Sequence, residues 1–230
     1  MNGLRIVPLP GIPEVRPGDD LGALVGDAVE RVGGLEDGDV VVVAQKVVSK
    51  AEGRVERTDD YLGLVRREAR AVRRERDDLV IAETEHGFVC ASAGVDRSNA
   101  PEEGWVVLLP HDPDASAAGI RAALAERFGL APAVIVSDSF GRAWRQGTTD
   151  VAIGVAGFRP LLDLRGTQDA RGYTLASTVV AVADELAGAA ELVMGKARGV
   201  PAVLVRGYAV PEGEGSVRDL IMPPERDLFP

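Results

Sequence analysis

The chain has 230 residues and a mass of 24.2 kDa, with 46% hydrophobic and 27% charged residues, enough for one large or two small globular domains. The 36 acidic residues against 26 basic ones give a formal charge of -10, which excludes a general nucleic-acid binder, because such a surface displaces counterions with positive charge. A single cysteine, Cys90, and only two histidines, His86 and His111, exclude an internal disulfide and a Cys- or His-rich metal centre.

In chain order, Leu4–Pro13 is a proline-cut apolar stretch, read as an edge strand running into a shaped loop. Asp19 or Asp20 caps a helix whose inner face is Leu21, Leu24, Val25, Ala28, Val29 and Val32, and Gly33 and Gly34 end it. Asp39–Ser49 is β-branched and nearly continuous, which predicts a buried strand. Asp60–Arg76 is predicted as a charged surface helix with Leu64, Val65, Ala69 and Val72 inward. Short strands are expected at Leu79–Thr84, Phe88–Ser92 and Trp105–Leu109, with a polar loop over Gly94–Pro101. Asp112 or Asp114 caps the next helix, and Ala117, Ile120, Leu124 and Phe128 form its inner face.

Ala133–Val136 is an apolar strand leading into the polar segment Ser137–Gly147. Strands follow at Val151–Phe158 and Ala202–Tyr208, with a helical region over Thr174–Leu192 between them, and the Gly-, Pro- and Glu-rich tail from Pro211 is expected to be loosely held. This is a mixed α and β pattern, too irregular for a clean doubly wound sheet. No apolar run has the length and charge-free character of a membrane span, and the N-terminus lacks a signal-peptide core, so a cytoplasmic protein with no membrane partner is expected.

Polar clusters that follow apolar strands, or sit among glycines, are where side chains are held rigidly yet stay open to a ligand. In GVDRSN, Asp96 and Asn99 offer oxygen donors that suit Mg²⁺ or Mn²⁺, or else simply bond local backbone in an Asx-turn. In SDSFGRAWRQG, Asp138 and Ser139 supply a carboxylate and a hydroxyl, and Arg142 and Arg145 supply planar donor forks for phosphate or carboxylate; the alternative is a capped turn with solvated arginines. Lys46 and Lys50, with Gln45 and Ser49 beside them, form either an anion-binding pair or an ordinary exposed one. Gly195, Lys196 and Gly199 let backbone N–H groups approach an anion without matching a Walker A loop. Pro10, Gly11, Ile12 and Pro13 form a stiff loop against which a base or sugar could lie, or a plain turn. His86 is read as a structural histidine or a donor to a substrate carboxylate; Cys90 is read as buried and unreactive. No nucleophile elbow, CxxC, HExxH or dinucleotide fingerprint is present, so the residues point to a metal-dependent, phosphate-handling site rather than to redox chemistry.

Taken together, GIPEVRPGDDL, VVVVAQKVVSKAEGRV, HGFVCASAGVDRSN, LLPHDPDASA, VIVSDSFGRAWRQGTTDVAIGVAG, LLDLRG and ELVMGKARGVP resemble, block by block and in order, the coenzyme F420-0:L-glutamate ligase family. The resemblance covers Leu4 to Tyr208 and is to the stand-alone form, without a C-terminal flavin-binding domain. It implies an α+β fold of two intertwined subdomains within residues 1–210, a tail over 211–230, and a homodimer with its active site near the interface. It also implies GTP-dependent attachment of L-glutamate to F420-0, then further γ-linked glutamate, with two Mg²⁺ or Mn²⁺ ions and stimulation by K⁺. Carried over by motif, Asp96, Asp138 and Ser139 look like metal ligands and Asn99 like a nucleotide-phosphate contact. The segments Pro10–Pro13, Gln45–Lys50 and Gly195–Gly199 look like the GTP site. Asp96, Asp138 and Arg142 are the residues expected to serve catalysis. Ser139 stands where many relatives have threonine, Ala143 where proline is common and Ser92 where asparagine is common. The competing readings are a nucleotide-dependent kinase or ligase on another acidic small molecule, and an inactive ligand-binding homologue.

Overall fold

The computed structural model describes residues 3–228. In chain order it contains β1 (Arg5–Pro8), α1 (Leu21–Arg31), β2 (Val40–Ala44), α2 (Gln45–Ala51), β3 (Val55–Arg57), α3 (Tyr61–Glu68), β4 (Ala69–Arg76), β5 (Leu79–Thr84), β6 (Val89–Ala91), β7 (Trp105–Val107), α4 (Pro113–Phe128), β8 (Ala133–Arg142), β9 (Arg145–Ala156), β10 (Leu162–Asp163), β11 (Val179–Val180), α5 (Val182–Met194) and β12 (Ala202–Arg206). This is the mixed α and β architecture expected from the sequence. Among the described residues no helix is long and apolar enough to cross a membrane.

A five-stranded sheet in the order β1-β12-β2-β8-β9 carries the molecule, with β2 and β8 parallel and every other neighbouring pair antiparallel. Its centre is buried on both faces, which is why VVVV and AVIV read as unbroken apolar runs. On one face Val41, Val43, Val134 and Val136 meet α1 and α4 through Val25, Val29, Ile120 and Leu124. On the other, Val40, Val42, Ile135 and Val203 meet α5 through Leu186, Ala187 and Ala190. A separate core forms where α3 covers β5 and β7, around Leu64, Val65, Val80, Ala82 and Val106.

Asp20 and Asp112 cap α1 and α4 by accepting the Ala23 and Ala115 N–H groups. Asp114 is no cap: it accepts the Val155 N–H at 2.7 Å and the Ser216 hydroxyl at 2.7 Å, and Val217 beside it is buried. The segment after Pro211 is therefore tied to α4 and β9 instead of loosely held. Gly154 lets α4 approach β9 this closely, because a Cβ there would run into the Pro113 carbonyl.

Four expected boundaries move. The strand expected over Asp39–Ser49 stops at Ala44, since the Gln45 amide bonds Ser49 Oγ and the Leu108 carbonyl from a helical turn. The helix expected over Asp60–Arg76 ends at Glu68, and Ala69–Arg76 becomes a strand paired to β5 across the tight Asp77–Asp78 turn. Val72 is consequently exposed rather than inward. The helical region expected from Thr174 begins only at Val182, because 174–180 folds back on 162–168, with Leu175 N–H on the Thr167 carbonyl and Leu164 N–H on the Thr178 carbonyl. Finally, the polar segment after Val136 is the outer half of a long β8–β9 hairpin, paired as far as Arg142 and Arg145.

Candidate active site

β2 and β8 end side by side, with Ala44 opposite Ser137, and a cavity of about 470 Å³ opens at that carboxyl edge. Ligands of open sheets with parallel strands bind at this end, where loops diverge above rigid strands. Five parts of the chain wall the cavity: the loop Ile12–Val15, α2 with the end of β2, Asn99 from the loop before β7, the β8–β9 hairpin, and the end of α5 with the following glycine segment.

The hairpin wall is acidic. A register shift between Val136 and Ser137 precedes Ser139 pairing with Asp150, and such bulges re-aim side chains beside sites. Asp150 is buried and accepts hydrogen bonds from Ser137 Oγ at 2.9 Å and Ser139 Oγ at 2.6 Å. By donating its proton to Asp150, Ser139 keeps its oxygen lone pairs for a ligand. Asp138 also lines the cavity, and burial, reinforced by the charges of Asp150 and Asp96, pushes its carboxyl up to about 7, although the Ser139 N–H and Lys46 act the other way. Glu191, on the facing helix, is raised by burial and by Asp150.

The α2 wall is basic. Lys46 and Lys50 are one helical turn apart and face the cavity. Lys46 Nζ lies 2.8 Å from Asp96 Oδ2 and also donates to Ser98 Oγ, and Lys50, itself buried, pairs with Glu14 of the proline-stiffened loop. Burial raises the Asp96 carboxyl, but Lys46 and the Ser98 N–H and hydroxyl outweigh it and hold the group below its ordinary range. Asn99 lines the same cavity in a left-handed conformation (φ 55°), as do Gly195 and Gly199 (φ 55° and 65°) with Lys196 between them. At those glycines a side chain would be strained, but the Gly195 N–H is already spent on the Glu191 carbonyl at 2.9 Å, where it caps α5, so the sequence expectation of an open anion-binding N–H fails at Gly195.

Of the residues singled out in the sequence, Ile12, Pro13, Gln45, Lys46, Lys50, Asn99, Asp138, Ser139, Gly195, Lys196 and Gly199 line this one cavity. Asp96 reaches it through its bond to Lys46. Ser49 is buried and accepts from Gln45, positioning α2. Pro10 and Gly11 lie beyond the wall with their carbonyls on the Arg31 guanidinium, and Arg142 sits outside on the exposed hairpin tip. His86 is structural, with Nε2 2.9 Å from the Pro110 carbonyl. Glu14, Ser137, Asp150 and Glu191 line the cavity without having been singled out. Only Asp150 and Ser137 had a readable signal, since each is the polar residue that borders an apolar run, AVIV before Ser137 and VAIGVA after Asp150.

No three His, Cys, Asp or Glu side chains among the described residues already converge on one metal position. The donors are nevertheless all hard oxygens, and the mutual repulsion of Asp138, Asp150 and Asp96 is what a hard dication relieves. By the chemistry of its donors the set fits a hard dication such as Mg²⁺ or Mn²⁺.

The family model described as F420-0:Gamma-glutamyl ligase matches residues 11–207. The coenzyme F420:L-glutamate ligase of Methanothermobacter thermautotrophicus is 43% identical over 99% of both chains. That of Methanopyrus kandleri is 43% identical over 98% of this chain and 97% of its own, and that of Methanocaldococcus jannaschii 40% over 85% and 86%.

Proposed function

The chain belongs to the F420-0:gamma-glutamyl ligase family, and from that premise we propose that it joins L-glutamate to coenzyme F420-0 at the expense of GTP and then adds further γ-linked glutamate. The class of activity, acid–amino-acid ligation, follows from the family. The observation that carries the finer reading is a single cavity with a carboxylate wall on β8–β9 facing a lysine wall on α2 and a glycine segment after α5.

Amide formation from a free carboxylate is uphill in water, so the carboxylate oxygen must first become part of a leaving group. The acceptor carboxylate attacks the γ-phosphorus of GTP; the new O–P bond forms as the bond to the β-phosphate oxygen breaks, giving an acyl phosphate and GDP. The amine of glutamate, having lost its proton, then attacks the acyl carbon, and inorganic phosphate departs with the C–O bonding electrons. Lys46 and Lys50 exchange Asp96 and Glu14 for phosphate oxygens, stabilising charge on the transferred group. Gly199 brings a backbone N–H to the same anion, and Asn99 adds an amide. Asp96, Asp138 and Ser139 would hold Mg²⁺ or Mn²⁺, with Glu191 able to add an oxygen from the facing wall. When bound, the metal supplies charge neutralisation between a carboxylate and a triphosphate. Asp150 keeps the Ser139 hydroxyl aimed.

A homodimer belongs to the same reading and is tested by light scattering. The decisive experiment is mass spectrometry of purified protein incubated with F420-0, L-glutamate, GTP, Mn²⁺ and K⁺. Products heavier by whole glutamyl units, absent without GTP or metal, are expected. An unchanged acceptor mass with folded protein overturns the proposal.

A further inference from the structure

The two lysines of α2 are held in the cavity on different terms. Lys46 Nζ is bonded to Asp96, and Asp96 is itself fixed by the Ser98 N–H at 2.6 Å and the Ser98 hydroxyl at 3.0 Å. That carboxylate keeps its place whether or not Lys46 stays bonded to it. Lys50 is more deeply enclosed, with its side chain 7% exposed, and Glu14 is its one side-chain partner among the described residues. Glu14 in turn has Lys50 as its one side-chain partner among those residues, and its own side chain is 70% exposed. An enclosed ammonium group left without a counter-charge is strongly unfavourable, so something anionic must sit on Lys50 whether the cavity is empty or full.

The backbone that carries Glu14 has little freedom. Leu9 and Val15 are buried at its two ends, the Leu9 N–H donates to the Ala202 carbonyl at 3.0 Å, and Arg31 holds the Pro10 and Gly11 carbonyls. Pro10 and Pro13 fix φ between those anchors. The loop therefore stays put, and the glutamate side chain, mostly in water, is the part that can turn away from the lysine. The pair is lopsided: Lys50 needs a counter-charge, whereas Glu14 returns to solvent at little cost. Phosphate oxygens supply the same charge-assisted hydrogen bond that Glu14 makes, and the two anions repel each other if both remain. A contact made in the empty site and broken in the loaded one lowers affinity by as much as it stabilises the empty state.

We propose that Glu14 is a positioning residue that stands in for phosphate on Lys50: it holds the lysine enclosed and aimed while the cavity is empty, yields it to the transferred phosphoryl group, and takes it back as inorganic phosphate leaves. This rests on the ligase reading above and adds to it an internal competitor that weakens nucleotide binding and helps to clear the product. Glu14 acts on the empty site, so its loss falls on the stability of the unloaded protein and on GTP affinity.

Calorimetric titration with GTP and Mn²⁺, acceptor withheld, tests this. Glu14→Gln is expected to bind GTP at least fivefold tighter than wild type. Its melting temperature is expected to fall below wild type in the empty protein and to match wild type at saturating GTP, a recovery that general damage to the loop would not show. In turnover its GTP KM is expected to fall at least threefold while kcat does not rise. Removing one negative charge favours any anion, so Lys50→Gln provides the control background: there Glu14→Gln is expected to shift GTP affinity less than twofold. With wild type binding GTP normally, an affinity that Glu14→Gln leaves unchanged or weakens, or an equal gain with and without Lys50, overturns the inference alone. Wild-type protein that binds no GTP overturns the nucleotide reading of the cavity, and the stand-in for phosphate falls with it.

Discussion

The two ends of the β8–β9 hairpin are built on opposite terms. At the base, Ser137 and Asp150 are buried and locked by hydroxyl–carboxylate hydrogen bonds, with Asp138 crowded against them. At the tip, from Gly141 to Thr148, every residue is exposed. The base fixes the position of a few oxygens by enclosure, and any change there disturbs fold and chemistry together. Side chains at the tip are presented to solvent, and changes there should register only when a ligand is added.

The largest expected effect breaks the base. Asp138→Asn should lower turnover by about a thousandfold or more, on the order of 4 kcal/mol of transition-state stabilisation, and by more than Arg142→Lys on the same strand. Its melting temperature should hold or rise, because a carboxyl crowded by burial and like charge is replaced by a neutral amide. Comparable turnover and metal dependence in this variant would sink the assignment. Next, Asp150→Ala strands two hydroxyls, and denaturant unfolding should show a loss of about 2–4 kcal/mol. Asp150→Asn keeps an acceptor and relieves Asp138, so it should cost less than about 1 kcal/mol; equal losses in both variants would mean the hydroxyl bonds contribute nothing. Smaller again, Gln45→Ala frees the Leu108 carbonyl and the first turn of α2, with an expected cost of about 1–2 kcal/mol and a raised GTP KM as Lys46 loses its fixed position.

The base was more legible in the sequence than its surroundings. Asp138 and Ser139 announce themselves as polar residues directly after AVIV, and the lysine spacing in QKVVSK survives the change from strand to helix because i and i+4 share a face. The helix itself was hidden: Val47 and Val48 read as strand, and the bond that decides otherwise runs from Gln45 to Leu108, 63 residues away. The Arg-rich 66–76 failed for the same reason, since its pairing partner β5 settles the conformation and local propensity does not. Glu14 and Glu191 carry no local signal at all. They are ordinary acidic residues in an acidic chain until the fold brings them to one cavity.

Cys90 offers the gentlest probe of the enclosed end. It lies on β6, 7% exposed, and burial, then the charge of Asp138, pushes its thiol from 9.0 to about 12. A raised thiol contributes stability that is fully present below pH 9 and is lost as pH climbs from there towards 12. At pH 8 the contribution is intact, and the native thiolate population is roughly a thousandfold below that of the unfolded chain. Iodoacetamide at pH 8 should therefore label Cys90 only after unfolding. Labelling of the folded protein at the unfolded rate would mean that β6 opens and that the enclosure assigned to the base is wrong. Because Asp138 is the second cause of the shift, Asp138→Asn should quicken native labelling by a few-fold at most, with the burial effect still dominant. A larger acceleration would make charge, and not enclosure, the main constraint at this end of the hairpin.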